Sequence, residues 1–214
     1  MEKKTLSNLF EGKLFQTPHH QRGYAWEEKQ LNNFVQDIDI IIDNKVVNHY
    51  TGTIVIYQPA IRPTEIYGMK RFEIVDIVDG YQRLTTCSLY LSVIFRELIK
   101  AGKTEFEREI IYFLKNGAKS KLKLNNDTSD FYYDLINTGI PKIKAKTVHQ
   151  KRLQEGYNYL QSHITKKIEE KHSEANDYLL CLYDAIIRKL KFSIYIIEIE
   201  SEIGTTNNLL NSRW

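Results

Sequence analysis

The chain has 214 residues, room for one large domain or two small ones, and its 42% hydrophobic and 27% charged residues are ordinary for a globular protein. A net charge of +3 is too small to announce nucleic-acid binding by itself, and no apolar run approaches the roughly 20 residues of a membrane span. The polar start Met1-Glu2-Lys3-Lys4-Thr5 opens no signal-peptide core, and Cys87 and Cys181, on apolar faces of predicted helices, read as reduced core residues of a cytoplasmic protein.

In chain order, Leu31, Phe34, Val35, Ile38 and Ile41 recur at helical spacing and predict a helix over 27–43. The β-branched run YTGTIVIY (50–57) predicts a strand, and RFEIVDIV (71–78) a second. Leu84, Cys87, Ser88, Leu91, Phe95 and Leu98 predict a helix that ends near Ala101-Gly102. Short helices follow over 106–114 and 129–137. Leu153, Tyr157, Leu160, Ile164 and Ile168 stripe a long helix, and Tyr178, Leu179, Leu182, Ile186 and Leu190 stripe the next. FSIYIIEI (192–199) is a late strand. The expected class is α+β, with the sheet concentrated in 1–102 and a mainly helical remainder, 103–214, of the same domain.

The most informative junction is IVDGYQRLTT (77–86), where a strand turns into a helix. Unpaired N–H groups and the helix dipole make such a corner suited to an anion. Gly80 offers close backbone approach, Arg83 a planar fork for phosphate oxygens, and Asp79 either a helix cap or a ligand for a bridging metal ion. Gln82 has the chemistry to orient an attacking water. The plain alternative is a capped turn with a surface arginine.

A second Gln-Arg pair stands in PHHQRGYAW (18–26). Adjacent side chains on an extended chain point opposite ways, so His19 and His20 make poor co-ligands for a metal. The aromatic-plus-Arg grouping suits a base or a phosphate, while Trp26 reads best as a staple for the helix that follows. Between Pro141 and His172, eight Lys or Arg (142, 144, 146, 151, 152, 166, 167, 171) stand against three Glu (155, 169, 170). That excess either follows a phosphate backbone or forms a solvated helix face.

With both Gln-Arg pairs in hand, the chain resembles the N-terminal domain of GmrSD-type, modification-dependent restriction endonucleases, which also occurs in phosphorothioate-sensing phage-defence proteins. The family pattern P-x-Y-Q-R-x-Y-x-W is matched by Pro18 to Trp26, and I-V-D-G-Q-Q-R-L-T-T (the DGQQR motif) by Ile77 to Thr86. HYTGTIVI (49–56), LKLNNDTSDFYYDLI (122–136) and NNLLNSRW (207–214) resemble further family segments. The resemblance implies a ParB/sulfiredoxin-like mixed sheet and a nucleotide-binding, NTP-hydrolysing module that works with Mg²⁺ and couples to recognition of modified DNA. It implies catalytic roles for Asp79, Gln82 and Arg83, with Asp79 at the metal. Gln21, Arg22, Gly80, Tyr81, Arg83 and Thr85 would hold the nucleotide. Tyr24 and Trp26 would shape the first motif's loop, with His20 and Tyr24 turned to DNA, and the basic excess noted above adds Lys142, Lys144, Lys146, Lys151 and Arg152 to the DNA-facing set.

The chain departs from the pattern at Tyr81, in place of the first Gln of DGQQR, and at His20, in place of Tyr. Tyr81 lacks the amide that Gln would supply, which favours an alternative reading: a non-hydrolysing DNA- or partner-binding module with a degenerate nucleotide site. Relatives usually continue into an HNH-type nuclease domain. No His-rich metal motif follows Leu190, so the expected nuclease is a domain or subunit outside these residues.

Overall fold

The computed structural model describes residues 2–18 and 21–203. Strand β1 (Glu2–Thr5) runs into helix α1 (Leu6–Phe10), capped by the Thr5 hydroxyl on Asn8 N at 3.1 Å, and then into strand β2 (Lys13–Gln16). Helix α2 (Glu28–Asp43) starts at a capping box in which Glu27 and Gln30 satisfy each other's backbone N–H groups. Strands β3 (His49–Tyr57), β4 (Thr64–Tyr67) and β5 (Lys70–Asp79) lead to helix α3 (Tyr81–Lys100). Helix α4 (Phe106–Phe113), the two-residue strands β6 (Lys115–Asn116), β7 (Lys119–Ser120) and β8 (Leu122–Lys123), and helix α5 (Ser129–Thr138) follow. Helix α6 (Val148–Lys171) opens on a second capping box, Thr147 with Gln150. Helix α7 (Ala175–Asp184) passes through a π-turn (Ala185–Lys189) into strand β9 (Leu190–Ile197).

The protein is α+β, as expected. The main sheet has the order β1-β9-β3-β5-β2-β8, with β4 hydrogen-bonded to β5 at its margin. It is mixed: β9 runs parallel to β3 and antiparallel to β1, while β2 runs parallel to both β5 and β8. The late strand therefore lies inside the sheet, between two strands from the first third of the chain. Its β-branched, aromatic sequence suits a strand with neighbours on both sides.

One sheet face carries Ile54, Ile56, Val75, Ile77, Phe192 and Ile194 into the main core beneath the helices. Among the described residues the opposite face holds a small apolar cluster of Val55, Val78 and Ile197, flanked by Tyr57 and Ile203. Helix α3 runs through the middle of the core and is buried on nearly every side, more than an amphipathic stripe predicts. Two of its hydroxyls return to its own carbonyls: Thr86 Oγ1 donates to Gln82 O (2.9 Å) and Ser88 Oγ to Leu84 O (3.0 Å).

Cys87 is fully buried, and burial pushes its thiol up to about 12. Cys181 corrects the sequence expectation, because it is exposed. Ala175, Tyr178, Leu179 and Leu182 form the inward stripe of α7, and Cys181 falls on the other side. No helix among the described residues is long and apolar enough to cross a membrane.

Candidate functional site

The corner between β5 and α3 is built against β3. Gly80 has φ +90°, and a Cβ there would lie 2.5 Å from Ile54 Cδ1 and 3.0 Å from Thr53 O. The glycine is thus required by the neighbouring strand as well as by its own left-handed backbone. Arg83 N and Leu84 N both donate to Gly80 O, at 3.1 and 3.3 Å. No acidic residue stands in the first turn, and no side chain caps it.

The segment 21–27 lies directly over this corner, and the two Gln-Arg motifs interlock. The Tyr81 hydroxyl donates to the carbonyls of Arg22 and Gly23, 2.6 Å from the latter. Gln82 accepts from Ala25 N at 3.0 Å and donates to the Tyr81 oxygen at 2.8 Å. Gln21 Nε2 reaches Val78 O at 3.2 Å, and the Tyr24 hydroxyl meets Thr86 Oγ1 at 2.8 Å. Burial raises the phenol pKa of both Tyr24 and Tyr81, so each hydroxyl keeps its proton for these bonds. The far side of the loop is held by α6, where His149 Nδ1 lies 3.1 Å from Tyr24 O. Gly23 has no room for a side chain, since a Cβ would come within 2.3 Å of the His149 ring.

This geometry divides the expected site residues into two groups. Tyr24 and Thr85 are fully buried, and Tyr81 and Gln82 nearly so. Tyr24 therefore presents no face to DNA, contrary to the sequence expectation, because its ring and hydroxyl are enclosed in the clasp between the motifs. The Gln82 amide is spent on the loop, so it does not reach out to a water at the corner. Trp26 packs on Phe34 of α2 with ring centroids 6.0 Å apart, as its reading as a staple requires.

The second group faces outward: Arg22 is exposed, and Gln21, Asp79 and Arg83 are half-buried. Arg83 lies flat on β3, where a Cβ at Gly52 would sit 3.0 Å from its Cζ. Neither Arg83 nor Asp79 has an ion-pair partner among the described residues.

The basic stretch before and within the first turns of α6 also divides. Lys142 pairs with the buried carboxylate of Asp134 at 3.2 Å, and Arg152 is held between Glu27 and Glu155. Lys144, Lys146 and Lys151 are exposed and carry no ion pair among the described residues. His20 lies outside the described residues.

Three residues that complete the clasp were not singled out from sequence. Asn125 Nδ2 donates to Gln21 O at 2.5 Å, Gln150 Nε2 donates to Asp127 O at 2.7 Å, and His149 closes over Gly23. The only signal for Asn125 was its place in the segment LKLNNDTSDFYYDLI.

With the two motifs shown to form one clasp, the family comparison can be placed on it. The chain matches the GmrSD restriction endonuclease N-terminal domain over residues 5–212. It belongs to that family. Comparison with curated proteins gives no match. As a GmrSD N-terminal domain, it is a module of a restriction system. Its two signature motifs hold each other through Tyr81, Gln82 and Tyr24, leaving Arg22, Asp79 and Arg83 at the surface. A cleft of about 620 Å³ beside the same loop is lined by Asp76, Asp130 and Glu200 against Lys123. Its negative lining makes it the wrong partner for a phosphate, so the anion-attracting ground is on the arginine side.

Proposed function

We propose that this GmrSD N-terminal domain binds a nucleotide by its phosphates at the β5–α3 corner and acts as a nucleotide-responsive regulatory module of a restriction system. The carrying observation is Arg83, a half-buried guanidinium without a carboxylate partner among the described residues, laid beside the uncapped start of a long helix. A charge in that setting is stabilised by an anionic ligand, and a guanidinium binds phosphate through two parallel hydrogen bonds.

Asp79 is a half-buried carboxylate at the corner without an ion pair among the described residues, which suits a single protein ligand of Mg²⁺. Bound there with phosphate oxygens and water, the ion would neutralise phosphate charge. Because the Gln82 amide is committed to Ala25 and Tyr81, the reading is of binding without turnover.

A second contact, with DNA, is favoured by Lys144, Lys146 and Lys151. They stand next to the first-motif loop through the His149–Tyr24 contact and have no carboxylate partner among the described residues. Nucleotide binding would then be transmitted to DNA through the clasp, and cleavage would fall to a nuclease domain or subunit outside this chain.

The test is calorimetric titration with each of the four nucleoside triphosphates in Mg²⁺, together with a phosphate-release assay. The wild type should bind at least one nucleotide and release no phosphate. Arg83→Gln should weaken binding by roughly tenfold or more, as expected for a charge-assisted contact. Absence of binding to all four would overturn the nucleotide reading, and turnover abolished by Gln82→Ala would overturn the sensor assignment.

A further inference from the structure

The open face of the sheet carries a polar patch whose β3 member, Thr53, follows the glycine on which Arg83 lies. Ser193 lies between the core residues Phe192 and Ile194, so its side chain points to the opposite face. It pairs with Lys3 of β1 on one side and with Thr53 of β3 on the other. Directly paired residues share a face, so Lys3, Ser193 and Thr53 stand in one row across three adjacent strands. Tyr50 enters the same patch: its hydroxyl is 3.1 Å from Thr53 Oγ1, and Lys3 Nζ lies 5.9 Å from its ring centroid.

The backbone of β3 is shaped to admit the arginine. The register between β3 and β9 shifts between Tyr50 and Gly52, a bulge in the strand, and Gly52 has φ +118°. A side chain at Gly52 would occupy the ground on which the Arg83 guanidinium lies. The bulge and the glycine let the Arg83 guanidinium lie against β3 at Gly52, the residue that precedes Thr53 of this row. Neither Arg83 nor Lys3 has a carboxylate partner among the described residues, although Lys4, next to Lys3, pairs with Glu2. The Tyr50 phenol registers the surroundings: it lies below its ordinary value through the Thr53 hydrogen bond, aided by Ser193 and by the charges of Arg83 and Lys3.

We infer that Lys3, Tyr50 and Thr53 form, with Arg83, a second anion subsite on the open sheet face, which takes the next phosphate of a nucleotide held at the corner. The ligand class is a linear polyphosphate, a nucleoside di- or triphosphate in preference to a monophosphate. The inference rests on the reading of the corner as a phosphate site and adds to it two residues, Lys3 and Tyr50, that lie outside both signature motifs.

The experiment compares the four nucleoside monophosphates with the four triphosphates by calorimetry, on the full chain. The wild type should bind the best triphosphate roughly tenfold or more tightly than its monophosphate, the gain of added charge-assisted contacts. The double variant Lys3→Gln/Tyr50→Phe changes two side chains at the surface, so folding is not at stake. It should bring the triphosphate down toward the monophosphate and leave monophosphate affinity unchanged. Arg83→Gln should weaken both. Lys29→Gln, the same loss of charge on α2, should leave the ratio untouched.

A wild-type ratio retained in the double variant, or lowered equally by Lys29→Gln, would overturn the subsite while the corner reading stands. So would a monophosphate that binds as tightly as the triphosphate. Failure of the wild type to bind any nucleotide would overturn both.

Discussion

Replacing Lys121 by methionine removes a buried ammonium that has no carboxylate partner among the described residues. Lys121 is 1% exposed, and its Nζ donates to Phe10 O at 2.8 Å. It lies 4.3 Å from the Phe72 ring centroid, 5.3 Å from Tyr67, 5.8 Å from Tyr112 and 5.9 Å from Phe10. Burial pushes its pKa down from 10.5 to about 7, with the Lys13 charge acting in the same direction. That gap corresponds to roughly 5 kcal/mol of resistance to carrying the proton in the folded state. The ring faces return about 2 kcal/mol, and loss of the bond to Phe10 O costs the variant about 1–2 kcal/mol.

At pH 6, where the wild type must hold the charge, Lys121→Met should therefore be the more stable by about 1–2 kcal/mol. Between pH 7 and 10.5 the unfolded lysine binds more protons than the folded one, so wild-type stability rises with pH through that window. By pH 10 the amine is neutral in the fold, and the variant should be the less stable by about 1 kcal/mol, the lost hydrogen bond. Urea unfolding of both proteins at pH 6 and pH 10 reads the difference, in which their shared titrations cancel. A difference of the same sign and size at both pH values would refute the argument, since it would mean that the box holds the ammonium without penalty.

Gly80→Ala should destabilise by roughly 2–4 kcal/mol, combining left-handed strain with the clash against Ile54 and Thr53. Gly12→Ala, at φ +65° with nothing within 4 Å, should cost only about 1 kcal/mol, and equal losses in urea melts would count against the close-approach explanation. Tyr81→Phe should leave the far-ultraviolet circular dichroism unchanged while hydrogen exchange quickens at Gly23 to Ala25; unchanged exchange would show that its bonds to Arg22 O and Gly23 O do not hold the loop. Asp39 accepts from Tyr178 (3.0 Å) and pairs with His163 (3.4 Å) and Lys167 (3.2 Å). Burial would raise its carboxyl pKa, but those two partners outweigh it and hold the group below 3.8. A depressed carboxyl contributes stability above its unfolded value and loses it as pH falls through the folded one. Asp39→Asn should thus cost roughly 1–2 kcal/mol at pH 7, with the gap closing in acid, and a gap independent of pH would exclude the ion pairs as its source.

What could be read from the chain alone was whatever repeats locally. Helices α2 and α6 announced themselves through apolar stripes at 3.6-residue spacing, and β3, β5 and β9 through β-branched and aromatic runs bounded by turn residues. Strands β1 and β2 and helix α1 span only four or five residues each, too few for any period to show, and their pairing partners lie far along the sequence. The order of the strands was equally hidden, because β9 finds its place between β1 and β3 through backbone hydrogen bonds that carry no mark in its side chains.

At the site, the sequence identified both Gln-Arg motifs but not their relation. Only the packed structure decides that Tyr81 and Gln82 bond to the loop of Gly23 and Ala25, more than fifty residues earlier, and so spend their polar groups on each other. The same packing leaves Arg83 without an ion pair among the described residues and lays it on Gly52 of β3. A residue's type states what it can bond to. Which groups are within reach, and which of them are already taken, is settled by contacts between segments distant in sequence.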